Sequence, residues 1–241
     1  MKQISLALLL VLLSTASAFA QKNQSDREFQ GFRGSVIKVT VERAELKQSG
    51  GTAVEARRQR QKMLVFDTEG NLVSDKGYYP PGVEFDVRTY SVIDGERVVK
   101  HEVFTKFVPP GIGTPNRQSD KPRDSRYTAK LRYQYDSQGN RTEMAWIATD
   151  ARLTARYVYK READRKEVMV YRQDGSLNYG YVNKLDDKGN ELETTEVWPG
   201  YPPRFKTTYT YLEFDSQGNW IKRKEAHLDS SSIQYRKITY Q

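Results

Sequence analysis

Two histidines, His101 and His227, are the side chains best suited to proton transfer near neutral pH. Neither has a second histidine, a cysteine or an acidic residue at a metal-ligand spacing such as H-E-x-x-H, so both read as strand-surface residues. The chain has no cysteine, which removes thiol chemistry and any disulfide framework. It carries no Gly-x-Ser-x-Gly elbow, no phosphate-binding loop and no G-x-G-x-x-G at a strand–helix junction; Ile112-Gly113-Thr114 completes none of them. Paired carboxylates facing across a cleft would suffice for glycoside hydrolysis. The acids here fall mostly in turns or at charged alternate positions, the pattern of a solvated face. Single turn aspartates also fall short of the 6–8 oxygens that Ca²⁺ takes. The expectation is a protein without catalytic residues, metal or cofactor.

The aspartates have another explanation. A short pattern recurs as Phe66-Asp67-Thr68-Glu69-Gly70-Asn71 and Tyr135-Asp136-Ser137-Gln138-Gly139-Asn140, then as Leu185-Asp186-Asp187-Lys188-Gly189-Asn190 and Phe214-Asp215-Ser216-Gln217-Gly218-Asn219. Aspartate favours the first position of a type I turn because its carboxylate accepts nearby backbone N–H groups. Glycine at the fourth position supplies the positive φ of the bulge that closes a three-residue hairpin loop. Asp67, Gly70, Asp136, Gly139, Asp186, Gly189, Asp215 and Gly218 are therefore assigned as turn-forming. Asp94-Gly95 and Gln173-Asp174-Gly175-Ser176 add two further turns.

Between the turns, apolar and aromatic residues alternate with polar ones, the period of a half-buried strand. Tyr127, Ala129, Leu131, Tyr133 and Tyr135 share one face, and Leu153, Ala155, Tyr157 and Tyr159 another. Sixteen tyrosines fall mostly at alternate positions while Leu and Ile are sparse, and tyrosine suits a half-wet sheet surface. The expected fold is all-β: an antiparallel meander of about fourteen strands of ordinary length, forming a curved single sheet, a thin sandwich or an open barrel. Residues 53–62 read as a strand running into Met63–Phe66, with a short helix as the alternative. Residues 34–107 form an N-terminal hairpin region and residues 126–241 a more regular repeat region. The proline-rich stretch 108–125 between them is a loop or linker.

The start of the chain has the marks of a secretory signal: Met1-Lys2, an apolar run from Leu6 to Leu13, and Ala18-Phe19-Ala20 as a cleavage site. Cleavage after Ala20 would leave a polar, aperiodic and mobile leader at 21–33, and no later segment is apolar enough for a membrane helix. The expected location is periplasmic or secreted. The formal charge of +8 comes from Lys and Arg spread over nearly every strand, which reads as the solvated outer face of a sheet rather than a nucleic-acid site.

Tyr133-Gln134-Tyr135-Asp136-Ser137-Gln138-Gly139-Asn140 resembles the YD-repeat (Rhs-type) family, whose pattern runs aromatic-x-aromatic-Asp-x-x-Gly-Asn. Tyr211 to Asn219 matches with Phe214 in place of the second tyrosine, and 185–190 and 66–71 are shorter copies. The resemblance implies an exported antiparallel ribbon of hairpins. The irregular spacing of the turn glycines departs from that family.

Taken together, the residues predict a non-enzymatic exported bacterial β-repeat protein of the cell envelope, acting as a binding or structural module. Tyr133, Tyr135, Trp146, Tyr157, Tyr179, Tyr209 and Tyr211 form the candidate ligand face. Rows of aromatic rings beside Arg and Lys would stack on sugar rings and pair with acidic groups, so the expected partner is an envelope polysaccharide or another envelope protein. The alternatives are an outer-membrane β-barrel, invited by the strand number and export signal, and a glycoside-type hydrolase.

Overall fold

A computed structural model describes residues 22–79, 83–104, 125–202, 205–228 and 230–241. The signal segment, most of the proline-rich stretch 108–125 and Pro80-Pro81-Gly82 lie outside these residues.

Among the described residues there are fifteen strands and one short helix, α1 (Asp26–Phe29). Strand β1 (Val36–Ser49) is followed by β2 (Thr52–Glu55), β3 (Gln59–Phe66), β4 (Leu72–Tyr79), β5 (Val83–Ile93) and β6 (Glu96–Val103). Then come β7 (Ser125–Tyr135), β8 (Arg141–Ala148), β9 (Leu153–Arg161), β10 (Arg165–Tyr171) and β11 (Leu177–Leu185). The last four are β12 (Glu191–Val197), β13 (Lys206–Phe214), β14 (Trp220–His227) and β15 (Ser230–Tyr240). From β3 onward each strand pairs antiparallel with the next, and β15 returns to pair with β1 from Val36↔Tyr240 to Glu45↔Ser232. The sheet is thus a closed barrel of fourteen strands, with β2 branching from the far end of β1.

Closure corrects the expectation of an open sheet: of the architectures weighed from the sequence, the barrel is the one adopted, not the open ribbon of a hairpin repeat. The two regions divided at 108–125 join one sheet, because β6 pairs directly with β7 over Arg97↔Leu131 to Val103↔Ser125. The stretch 53–62 is neither one strand nor a helix; it breaks after Glu55 and restarts at Gln59.

The four Asp-x-x-Gly-Asn turns form as the sequence predicts. Gly70, Gly139, Gly189 and Gly218 have φ of 79–88°. In each turn the glycine N–H donates to the aspartate carbonyl at 3.0–3.1 Å, and the aspartate side chain accepts from the asparagine N–H at 2.7–2.9 Å. Each is followed by a register shift that leaves one residue unpaired: Val73, Thr142, Leu192 or Ile221. These bulges reverse the inside/outside parity. Trp220 is consequently buried in the barrel, while Lys222 reaches Glu213 on the outer surface, although strict alternation would put both on one face.

All four of these turns lie at the same end of the barrel, where β1 begins and β15 finishes. The leader closes that end. Ser25 caps α1 in a capping box with Glu28, and α1 sets Asp26 and Phe29 into the barrel interior. Gln24 N–H donates to the Gly139 carbonyl and Arg27 N–H to the Gly70 carbonyl, both at 2.9 Å. Arg33 and Asn219 exchange backbone-to-side-chain bonds at 2.8 and 2.9 Å, and the Arg33 guanidinium donates to the Lys188 carbonyl. The segment expected as a mobile leader is therefore packed. Three turns lend it carbonyls and a fourth lends an asparagine side chain. Asp26 supplies the buried countercharge that holds it.

A barrel of about eight strands is filled by its own side chains, and one of 16–18 leaves an aqueous channel. Fourteen strands fall between, and filling here is uneven. Phe32 from the leader packs with Val36, Val39, Leu64, Phe66 and Leu72 near the plugged end. Val99, Ala129, Leu131 and Trp146 form a second cluster, with Tyr133, Met144, Ala155 and Tyr157 against it.

Candidate functional site

The seven aromatics of the candidate ligand face all point into the lumen. Trp146 is buried, with its ring 6.3 Å from Tyr157 and near His101 and Tyr127. Tyr133 sits beside Tyr135 at 6.4 Å and under the Arg141 guanidinium at 4.2 Å. Tyr179 meets Tyr181 and Trp198, each at 5.7 Å. Tyr209 lies under the Arg223 guanidinium at 4.0 Å, and Tyr211 is 6.1 Å from Trp220. Burial raises the phenol pKa of Tyr133 and Tyr157 to about 12, so these rings carry neutral hydroxyls at any physiological pH.

The outer face is the reverse. On β7, Thr128, Lys130, Arg132 and Gln134 are exposed where Ala129 and Leu131 are buried. Ion pairs link neighbouring outer positions: Lys100–Glu102, Lys130–Glu96, Arg165–Glu167 and Lys206–Glu193. The side chains of Lys100, Lys160 and Lys206 are 59, 63 and 58% exposed. These outward cations account for part of the even spread of Lys and Arg along the strands; others, such as Arg97, Arg141 and Arg236, face the lumen.

Toward the end away from the plug, aromatic residues reach solvent. Tyr127, Trp198 and Phe205 are 42, 42 and 40% exposed. Just inside them, a hydrogen-bonded chain links three strands. Tyr127 Oη lies 2.6 Å from His101 Nδ1, and His101 Nε2 lies 2.8 Å from Asp86 Oδ1. Burial works to raise the Asp86 pKa, but the His101 hydrogen bond and the Arg88 charge outweigh it and the net shift is downward. Asp86 is therefore a carboxylate that accepts a hydrogen bond from His101 Nε2–H, which leaves Nδ1 facing the Tyr127 hydroxyl. Burial raises the Tyr127 pKa, which keeps that phenol a donor. The strand-surface reading of His101 is overturned: it is 8% exposed, because its strand turns this parity inward beside Val99. His227 also faces the lumen, bonded to Thr207 Oγ1 at 3.2 Å and stacked near Phe205.

Deeper charges on the β3–β8 side are neutralised in place. Asp26 pairs with Arg97 and with Arg141 at 2.7 Å, and also accepts from Leu72 N–H at 2.8 Å. Asp75 pairs with Lys62 at 3.3 Å and Arg88 at 3.5 Å.

On the β9–β15 side, a cavity of about 170 Å³ lies between the leader and the wall. Arg161, Lys166, Arg223 and Arg236 line it, with Glu191 their one acidic companion. Phe29, Tyr211 and Trp220 give it apolar walls. Arg236 lies between rings, 3.5 Å from the Trp220 centroid and 4.9 Å from that of Phe32. Tyr211 belongs to the ligand face expected from the sequence, but none of the four cations was singled out there. The available signal was a cation on the aromatic parity of its strand, as with Lys166 beside Val168 and Val170 or Arg236 beside Ile238. The bulges obscured that signal for Arg223.

No family model matches the chain, and no curated protein matches it in sequence. Among solved structures, it is similar to a porin-like protein from Bacteroides uniformis ATCC 8492, with a TM-score of 0.45 and 10% identity over 86% of this chain and 98% of that one.

Proposed function

We propose that this chain is a non-enzymatic barrel of the bacterial cell envelope that binds its ligand inside the lumen. The observation that carries this reading is the difference between the two faces: aromatic rings with their neutral hydroxyls and sheltered charges line the inside, and exposed charges, several of them paired, cover the outside. Lys or Arg facing lipid costs about 2–4 kcal/mol at the bilayer midplane. An outer wall with a cation on most strands therefore favours water around the barrel. The exposed Trp198, Phe205 and Tyr127 offer stacking surfaces of the kind that hold sugar rings, and an envelope polysaccharide is the favoured partner. An envelope protein inserting an aromatic or acidic segment would use the same rings.

Ring closure favours a second reading, an outer-membrane barrel. Such barrels have an even number of antiparallel strands with short turns at one end, and both features are present. No helix among the described residues is long and apolar enough to cross a membrane, which has no bearing on a strand-built span.

Expression with the natural leader followed by cell fractionation separates the two. The lumen-binding reading expects release in the soluble envelope fraction and a monodisperse protein without detergent. It also expects retention on an envelope-glycan array that Trp198→Ala with Tyr179→Ala abolishes. Retention in carbonate-washed membranes with heat-modifiable migration on a gel would establish the outer-membrane reading in its place.

A further inference from the structure

The cavity beside the leader is built for a ligand of definite charge. Its four cations carry no salt bridge to any carboxylate among the described residues, in contrast to Arg97, Arg141, Arg88 and Lys62 elsewhere in the lumen. Arg236 is the decisive member. Its Nε is buried without a hydrogen-bond partner, as are those of Arg88, Arg97 and Arg141, but unlike theirs its guanidinium has no carboxylate against it among the described residues and lies against two rings. Ring faces compensate part of the desolvation of a guanidinium but accept none of its in-plane N–H bonds. A buried donor left unpaired is costly, and a buried cation without a countercharge more so.

We infer that the Arg161–Lys166–Arg223–Arg236 cavity is a binding site for a compact oxyanion of the phosphate or carboxylate class. The volume of about 170 Å³ exceeds what one water needs and lies below the roughly 300–1,000 Å³ of pockets for drug-sized ligands. An inorganic anion or one acidic substituent of a sugar fits that range. Guanidinium groups suit a planar or tetrahedral oxyanion because their N–H donors form a rigid fork. Burial lowers the Lys166 pKa, and burial together with Arg223 lowers that of Arg236 to about 9. An arriving anion would reverse both shifts. Glu191 faces the same cavity. This site does not depend on whether the barrel lies in water or in lipid.

The test is calorimetric titration of purified residues 21–241 with inorganic phosphate, then with galacturonate and glucose 1-phosphate, in chloride buffer at fixed ionic strength. The expected result is one saturable site for at least one of these probes, competed by sulfate. Arg236→Gln and Lys166→Gln should each weaken it tenfold or more. Preference for the free ion over the sugar acids would identify an inorganic ligand, and the opposite preference an acidic sugar; either supports the site. Arg236 is packed against two rings, so Lys166→Gln keeps the test decisive should the arginine variant fail to fold. Absence of saturable binding to folded parent protein would overturn the inference. So would affinity unchanged in a folded Lys166→Gln variant.

Discussion

The two sides of one lumen handle positive charge in opposite ways. On the β3–β8 side, every deep cation has a carboxylate of this chain against it, and Asp26 serves two arginines at once. On the β9–β15 side, four cations share a cavity without an ion pair among the described residues. The same residue types therefore have different work. The first set fastens the plug and the wall. The second has only Glu191 near it and no ion pair among the described residues, which costs stability, and that cost is the mark of a site rather than of a strut.

The largest expected effect comes from cutting the first set. Asp26→Asn keeps the shape and the Leu72 contact but leaves Arg97 and Arg141 buried without a countercharge. Breaking a buried pair this way costs about 3–5 kcal/mol. For a chain of this size that lowers Tm by on the order of 10 °C, measured by thermal denaturation. A melting curve identical to the parent's would mean that the plug is not held by this carboxylate.

A smaller effect sharpens the role of the turns. Gly139→Ala and Gly175→Ala both place a Cβ at φ of +80°, a strain of about 1–2 kcal/mol. At Gly139 the new Cβ also meets the Lys22 carbonyl at 2.9 Å, whereas at Gly175, at the opposite end, nothing lies within 4 Å. Gly139→Ala should therefore destabilise more, and urea denaturation of the two variants measures the difference. Equal losses would show that the leader contributes nothing at that turn.

The smallest effect is one of sign. In the free protein Lys166 has a depressed pKa, so the folded state binds fewer protons than the unfolded state between the depressed value and the ordinary 10.5. Stability from this group rises as pH rises through that window. Lys166→Met removes the dependence and should raise Tm by a few degrees near pH 7 in phosphate-free buffer, since one pKa unit is about 1.4 kcal/mol. For Asp86 the slope has the same sign but the contribution is favourable: its depressed pKa stabilises the fold above about pH 4, and that contribution fades as pH falls through the folded value. A Lys166→Met variant less stable than the parent at pH 7 would reverse the assignment of the two halves.

Much of the local structure is legible in the residues. Asp136 to Asn140 reads as a hairpin tip because every part of its geometry lies within five positions. The alternation of Tyr127 to Tyr135 reads as one face of a strand for the same reason. What the residues do not reveal is long-range. Val36 and Tyr240 carry no local signal that they will meet, so closure was not legible. Nor was it legible that α1, four residues long, finds its partners at Leu72, Arg97 and Arg141. The parity reversal at Ile221 and its counterparts is implied by the bulge that the turn glycine sets. Its effect on which lysines face outward emerges only when strands are counted through the turns. The seven aromatics of the expected ligand face lie on the concave, enclosed side of the sheet, which alternation alone does not distinguish from the convex side.

The seam between β1 and β15 has a consequence in time. Every other joint in the wall links strands that are close in sequence, and it can zip as soon as its hairpin exists. The seam joins residues about two hundred positions apart, the costliest loop to close and the last that can form. Until then the chain is a growing sheet with two raw edges, each able to pair with another molecule's edge as readily as with its own. The leader emerges first and docks on turns that follow it at intervals along the chain. It can therefore gather the sheet into a curve before the last strand arrives, bringing the two edges toward each other.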